Sequence, residues 1–423
     1  MPVVVMWRTP VAATLTPAGV MSTPAVVNLN RVRVKGWAFF AQPFFIYGIC
    51  ANIRKRKQPL DWRKEMARLI ARPLNVIKEA KKSMMRGQLV ERSEPLKIAI
   101  AGAGMTGAYA YRLLKSQGLQ ADVYHRDCRT ACGINPCAWG TSRDFFELVR
   151  AAGLHPEKYI LQATDHVWME DVRIPGDLMT FDKPALIQDL LQGTTIKKDP
   201  LDVTGYDRVI DATGISRSYL PPIQGDVLLP CIQRRVETSE PLENRIKLGG
   251  VGYAWIFPLS RYGYHIGCGS LAGDPKAYLA SLGWIETRGG NPSKKVLCAC
   301  SGRVRLTGPL GSQPFVVGDT AKGVWGVGES IGCVAPLAGD GVVPGMKSVQ
   351  ILLQHWDDPE AYTKHILKEF RWMEKERQVI DKLLSKGSLR IKDAWVLKKN
   401  SRRMGMQVGL KEALLLLRAL SVR

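Results

Sequence analysis

The sequence predicts an α/β chain: a parallel, βαβ-built domain interrupted by a β-rich insert and flanked by basic helical ends. Three observations predict it. A buried apolar run, Lys97-Ile-Ala-Ile-Ala, leads into Gly102-Ala-Gly104-Met-Thr-Gly107-Ala, the layout of a strand, a tight turn and a helix start. A second glycine-rich stretch lies more than two hundred residues later, Gly328-Glu329-Ser-Ile-Gly332-Cys-Val-Ala-Pro336-Leu-Ala-Gly339-Asp-Gly341. Between them, residues 226–306 alternate with the two-residue period of strands, as in Gly252-Tyr-Ala-Trp-Ile-Phe257 and Tyr262-Gly-Tyr-His-Ile-Gly267.

The elements follow in order. Strand 97–101, helix 106–117 and strand 121–125 make the first βαβ half. Helices are expected at 143–152 and 183–192, and the run Tyr206–Asp211 is a buried strand closing on Asp211-Ala-Thr-Gly214. The chain returns to the first domain at 314–352 and is helical and basic from about 359. The predicted organisation is an extension over 1–94, a first domain from 95–225 and 307–358, an insert at 226–306, and C-terminal helices at 359–423. Within the extension, 1–35 is irregular and 59–87 has the spacing of an amphipathic helix. The apolar run in 36–53 is broken by Pro43 and is short for a membrane span. An interfacial anchor and a segment outside the mature protein both fit it.

With 423 residues and 46% hydrophobic content, the chain can bury one large or two medium cores. Its net charge of +22 is uneven: residues 1–95 carry +12, residues 360–423 carry +9, and the middle is nearly neutral at +1. Basic ends on a neutral body suit an anionic membrane surface or an acidic electron-donor protein. No nucleic-acid partner is expected. Nine cysteines, an odd number, and no signal-peptide layout point to a cytoplasmic, reducing setting, peripheral to the membrane at most. Cys128, Cys132 and Cys137 lack the CxxC pairing of metal sites, so no metal is expected.

The two glycine-rich segments together argue for FAD. Gly102 permits the tight turn, Gly104 lets the backbone approach a pyrophosphate, and Gly107 lets helix and strand pack closely, with the anion at the helix N-terminus. An acidic residue after glycine, followed by Pro336 and a glycine-rich helix start, is how hydroxylase-type flavoproteins hold the ribityl chain and ring. Glu329 takes the acidic place, with Gly332, Pro336, Gly339 and Gly341 around it. Free N–H groups near 339–342 are expected to face the flavin pyrimidine carbonyls. The adenosine-ribose contact, normally an acidic residue ending the second strand, falls on His125, with Arg126 and Asp127 beside it.

From Pro95 to about residue 415 the chain resembles the geranylgeranyl reductase family, a branch of the hydroxylase-like FAD flavoproteins. Five pieces in the family's order carry the resemblance. They are Gly102-x-Gly104-x-x-Gly107; Cys132-Gly133 through Gly140; Asp211-Ala-Thr-Gly214; Tyr253-Ala-Trp255-Ile-Phe257-Pro258 with Gly267-Cys-Gly269; and Gly328-Glu329 through Gly341. The resemblance implies a Rossmann-like FAD domain with an inserted β-rich substrate domain. It implies that reduced flavin saturates C=C bonds of a prenyl chain on a lipid or other isoprenoid, fed by NAD(P)H or reduced ferredoxin. It places Cys132 and Gly133 beside the flavin ring and Gly214 in the cofactor site. Tyr253, Trp255, Phe257 and Pro258 supply apolar area for the prenyl chain, and Tyr253 and Cys132 are the candidate catalytic side chains. A flavin monooxygenase shares the fold. A halogenase would carry Trp-x-Trp-x-Ile-Pro, which Trp255-Ile-Phe257-Pro258 does not supply. A non-catalytic relative with a degenerate FAD site is the third alternative, and His125 and Glu329 are the residues that motivate it.

Overall fold

A computed structural model describes residues 95–126, 137–249, 251–285, 294–319 and 322–421. The expectations for 1–94, and those for Asp127, Cys128, Cys132 and Gly133, lie outside the described residues.

The first sheet forms around Ile98–Ala101 (β1), four apolar residues that are all buried. Continuous apolar strands of this kind suit the middle of a parallel sheet covered on both faces. β1 pairs in parallel with Ala121–Tyr124 (β2), Ile98 opposite Ala121, and with Arg208–Asp211 (β9), Ile98 opposite Arg208. The full six-stranded order is β15-β16-β9-β1-β2-β8, with β8 at Ile196–Lys197, β15 at Val316–Gly318 and β16 at Gly323–Gly326. Only β15 runs antiparallel, at one edge.

Helix Met105–Ser116 leaves β1 through Gly102, whose φ of 108° lies in the left-handed region that favours glycine. The helix packs beside Val342–Gln354, with the Thr106 side chain seated against glycines. A Cβ on Gly328 or Gly345 would come within 2.7 or 2.5 Å of Thr106 Oγ1.

The second sheet has seven strands in the order β14-β10-β13-β12-β11-β5-β6. Five come from the insert: Leu228–Thr238 (β10), Arg245–Gly249 (β11), Gly252–Pro258 (β12), Gly263–Ser270 (β13) and Lys294–Arg305 (β14). The other two, His166–Met169 (β5) and Val172–Pro175 (β6), come from the segment assigned by sequence to the first domain. Their apolar residues explain the transfer: Val167, Met169 and Ile174 are buried in the cluster beneath the second sheet. Gly140–Thr141 (β3), Ile160–Ala163 (β4) and Met179–Phe181 (β7) form a small third sheet.

Alternation gives the second sheet two distinct faces. On one, Ala254, Ile256, Tyr264, Ile266 and Cys268 pack with Leu279 of helix Pro275–Ser281. On the other, β12 carries Trp255 and Phe257, covered by Ala413, Leu416 and Leu417 of the last helix, Leu410–Ser421, and by Ala394 of helix Ile391–Ser401. The C-terminal helices are therefore a lid on the aromatic face. Aspartates begin several connecting helices: Asp182, Asp274 and Asp358 each accept a backbone N–H of the first turn, with proline at an early helical position.

Candidate functional site

The first glycine turn has the geometry that the sequence predicts. A Cβ on Gly102 would meet Ala212 O at 2.4 Å, and one on Gly107 would meet Gly102 O at 1.8 Å, so both are packed too tightly for a side chain. Gly104 differs: nothing lies within 4 Å of its would-be Cβ. It begins the helix without any side-chain cap on the first-turn N–H groups. His125 stands at the end of β2, and its Nδ1 accepts the Ala103 N–H at 3.4 Å. It borders the turn, at the place where an acidic residue was expected. Arg126 follows it and is exposed.

The Asp211-Ala-Thr-Gly214 turn is held from inside. Asp211 Oδ1 accepts the N–H and O–H of Thr213, and its Oδ2 accepts the Tyr219 N–H. Gly214 follows with a φ of 63°. Its would-be Cβ lies 3.4 Å from Glu329 Oε2, which brings the third and fifth motifs together.

Glu329 is half-buried in a short 3-10 turn, Gly328–Ile331. Its Oε1 accepts the backbone N–H of Arg305 at 2.8 Å, and burial pushes its carboxyl above the ordinary range. The Arg305 guanidinium lies across the same junction. It donates to Asp226, to Glu329 O at 2.7 Å, to Ile215 O at 2.9 Å and to Gly214 O at 3.4 Å. Gly332 ends the turn at a φ of 74°, where a Cβ would meet Gly308 at 2.6 Å.

Beyond it, Pro336 is buried, and the 335–341 loop closes on itself through Gly339 N–H to Ala335 O at 2.8 Å. One expectation is corrected here. The Val342 N–H is taken by Asp340 Oδ1 at 3.0 Å, so Gly339 and Val342 do not present free donors. An aspartate inside the loop explains it, because a carboxylate two residues before a helical N–H captures that donor. Burial pushes the Asp340 carboxyl up to about 6. Gly341 caps the helix, its would-be Cβ 3.2 Å from Val334.

Tyr253 connects this loop to the second sheet. Its hydroxyl donates to Ala338 O and lies 3.2 Å from the would-be Cβ of Gly339. Burial pushes the phenol far above its ordinary range, so it stays protonated. The Tyr253 and Trp255 rings are 5.6 Å apart. Opposite Trp255 stands Gly267, where a Cβ would come within 2.3 Å of Trp255 Cζ2, so the ring lies flat over a glycine. Trp255 is only 7% exposed and Phe257 is also buried, while Pro258 is half-buried and accepts the Thr180 hydroxyl at 2.6 Å.

The same face carries Gln233 of β10, opposite Gly267. Its amide nitrogen donates to Cys137 O at 3.1 Å. His265 lies 4.6 Å from the Trp139 ring, and burial pushes it down to about 4, so it is neutral. Trp139 has a φ of 60°, a left-handed strain of the kind that gathers at functional sites. A Cβ on Gly140 would sit 3.4 Å from Phe257. The described part of the Cys132–Gly140 motif thus lies on the aromatic face.

No protein-family model matches the chain. An uncharacterized protein of Methanocaldococcus jannaschii is 24% identical over 343 residues, covering 67% of this chain and 91% of the relative. A geranylgeranyl bacteriochlorophyll reductase-like protein from Thermoplasma acidophilum is similar in structure, with a TM-score of 0.53, 15% identity, and coverage of 78% and 92%. A tryptophan 6-halogenase from Streptomyces toxytricini gives a TM-score of 0.56 at 14% identity, covering 78% of this chain and 91% of its own. A flavoprotein/dehydrogenase from Cytophaga hutchinsonii gives 0.50 at 13%, covering 77% and 99%. The chain shares the Rossmann-like fold of these proteins. The two glycine-rich segments adjoin: a Cβ on Gly328 would come within 2.7 Å of Thr106, in the helix that follows Gly104.

The residues present fit FAD. Gly104 offers an unfilled cradle at an uncapped helix N-terminus, and Glu329 brings a carboxylate to the Gly214 turn. Gln233 Oε1, Trp255 Nε1, Thr141 Oγ and Ser142 Oγ are buried without a hydrogen-bond partner among the described residues. Buried polar atoms of this kind ordinarily have partners, and a bound group is one source of them.

Three residues of the site were not foreseen. Arg305 gives no signal within an alternating strand. Gln233 likewise looks like any polar strand residue. Glu376, whose Oε2 accepts the Leu337 N–H, does leave a trace: in helix Arg371–Leu384 it sits on the stripe Met373, Glu376, Val379, Ile380, Leu383, an acid on an otherwise apolar face.

Proposed function

We propose that the protein is an FAD-dependent oxidoreductase that reduces C=C bonds of a prenyl chain on a lipid or related isoprenoid. The observation that carries this is the bond from Tyr253 to Ala338 O. It sets an aromatic, hydrocarbon-lined face directly against the loop that follows Glu329. A prenyl chain offers no polar handle, so burial must hold it, at roughly 25 cal/mol per Å² of apolar surface.

Bound FAD supplies two-electron hydride chemistry, recharged by NAD(P)H or reduced ferredoxin. The protein residues bind, orient and keep the site dry. Gly102, Gly104 and Gly107 hold the pyrophosphate, and Glu329 takes the ribityl hydroxyls. Trp255 and Phe257 exclude water, and His265 stays uncharged. Tyr253 keeps its proton at neutral pH and spends it on Ala338 O, which fixes its ring against the loop beside Gly339.

The test begins with the visible spectrum of protein purified without added cofactor, with FAD released on heating. The flavin is then reduced under anaerobic conditions and mixed with geranylgeranyl lipid, and the product is weighed by mass spectrometry. A gain of H2 per double bond supports the reading. Rapid peroxide formation with hydroxylated product would assign the protein to the monooxygenases instead. A protein that stays colourless after FAD is added would mark His125 and Glu329 as a degenerate site.

A further inference from the structure

The lid over the aromatic face has an outer surface of a different character. Five large apolar side chains stand exposed within residues 384–415: Leu384, Ile391, Trp395, Leu414 and Leu415. Ile391 is 66% and Trp395 52% exposed, although the helix that bears them buries its other side through Ala394, Asn400 and Ser401.

The spacing puts these groups on one stripe. Ile391, Trp395, Lys398 and Arg402 recur at four-, three- and four-residue steps, which align along a helix and the turn that continues it. Lys398 Nζ lies 4.7 Å above the Trp395 ring. Lys392 and Lys399 flank the stripe. Residues 382–411 carry nine Lys and Arg against one acidic residue, Asp393. That aspartate is turned inward, buried and paired with Lys382 at 2.5 Å, so it does not offset the outer charge. The last helix repeats the pattern, with Leu414 and Leu415 exposed beside Lys411 and Arg418.

We propose that the outer faces of helices Ile391–Ser401 and Leu410–Ser421 dock on an anionic lipid bilayer surface. Cations on the rim and tryptophan with aliphatic groups at the centre match the headgroup–acyl boundary, which takes both. A second copy of the chain is a poor occupant, because two such faces would bring like charges together. Among the described residues no helix is long and apolar enough to cross a membrane.

The experiment is sedimentation of the full-length protein with vesicles of phosphatidylcholine, with and without phosphatidylglycerol. Two variants are compared with wild type. One is Ile391→Ser with Trp395→Ser, and the other is Lys392→Gln, Lys398→Gln, Lys399→Gln and Arg402→Gln. Unchanged melting and flavin absorbance certify that each variant is folded. Wild type partitions onto the anionic vesicles, and each variant loses about tenfold or more in partition coefficient, roughly 1.4 kcal/mol. Equal partitioning of the apolar variant overturns the proposal, since another region then does the binding. So does capture on poly-glutamate beads with no vesicle binding, which would make the surface a dock for an acidic protein. The readout involves no turnover, so the result stands apart from the substrate proposed above.

Discussion

The Leu337 N–H donates to Glu376 Oε2 at 3.2 Å, joining the 335–341 loop to helix Arg371–Leu384. Glu376 is buried, and burial pushes its carboxyl from an ordinary 4.5 up to about 7, while Asp340 in the same loop is pushed up to about 6. The loop and this helix therefore share a titrating contact.

The folded state holds the Glu376 proton more tightly than the unfolded chain does. Stability from this group is full below about pH 4.5 and is lost as pH rises through about 7, a loss of roughly 3 kcal/mol. Asp340 adds a loss of the same sign over a lower window. Glu376→Gln keeps an acceptor for Leu337 and removes the titration. Its melting temperature should vary less than that of wild type between pH 5 and 8, and parallel curves would refute the assignment.

Glycine substitutions separate binding from folding. Gly107→Ala must displace Gly102 O from 1.8 Å, so melting and flavin content should both fall sharply. Gly104→Ala enters open space in an extended backbone, φ −72° and ψ −173°. Its melting temperature should stay near wild type while the flavin-to-protein absorbance ratio drops. A Gly104→Ala variant with full flavin would show that the pyrophosphate does not approach there.

Arg305→Gln should be among the most damaging changes in the chain. It removes the partner of Asp226, with which Arg305 shares a buried contact at 3.0 Å, and the donor to Glu329 O. Breaking a buried pair from one side costs about 3–5 kcal/mol. Chemical denaturation should show a loss of that order, against under about 1 kcal/mol for a surface change such as Arg126→Gln.

Gly267→Ala pushes a methyl group into the Trp255 ring, 2.3 Å away. The ring must tilt, and with it the packing beside Tyr253. We expect a changed tryptophan fluorescence and slower turnover of the proposed prenyl substrate, with flavin content intact. Normal turnover with a displaced ring would remove Trp255 from the substrate surface.

Much of the flavin-side architecture was legible in the sequence because it depends on local rules. The turn at Gly102, the tight contacts of Gly107 and the period of β12 are short-range demands of backbone and sterics. Residues that act across the chain were not legible. Arg305 meets Glu329 from a different sheet, and no strand period announces that a guanidinium will be buried. The β5–β6 hairpin was misplaced for the same reason: its apolar positions fit either domain, and only the tertiary core decides between them. Glu376 lies between these cases, visible as an anomaly on its helix but without its partner.

That hairpin has a mechanical consequence. Gln407 donates to Pro175 O and Asp177 to Gly405 O, both at 2.7 Å, so the chain ahead of the last helix is sewn to the end of β6. β6 in turn hangs from a segment that enters and leaves the nucleotide domain. The described chain is a braid, not a row of beads. Truncating it before residue 405 would unravel a seam running from the C-terminal helices into the dinucleotide fold, and expression of the separate halves should yield insoluble protein.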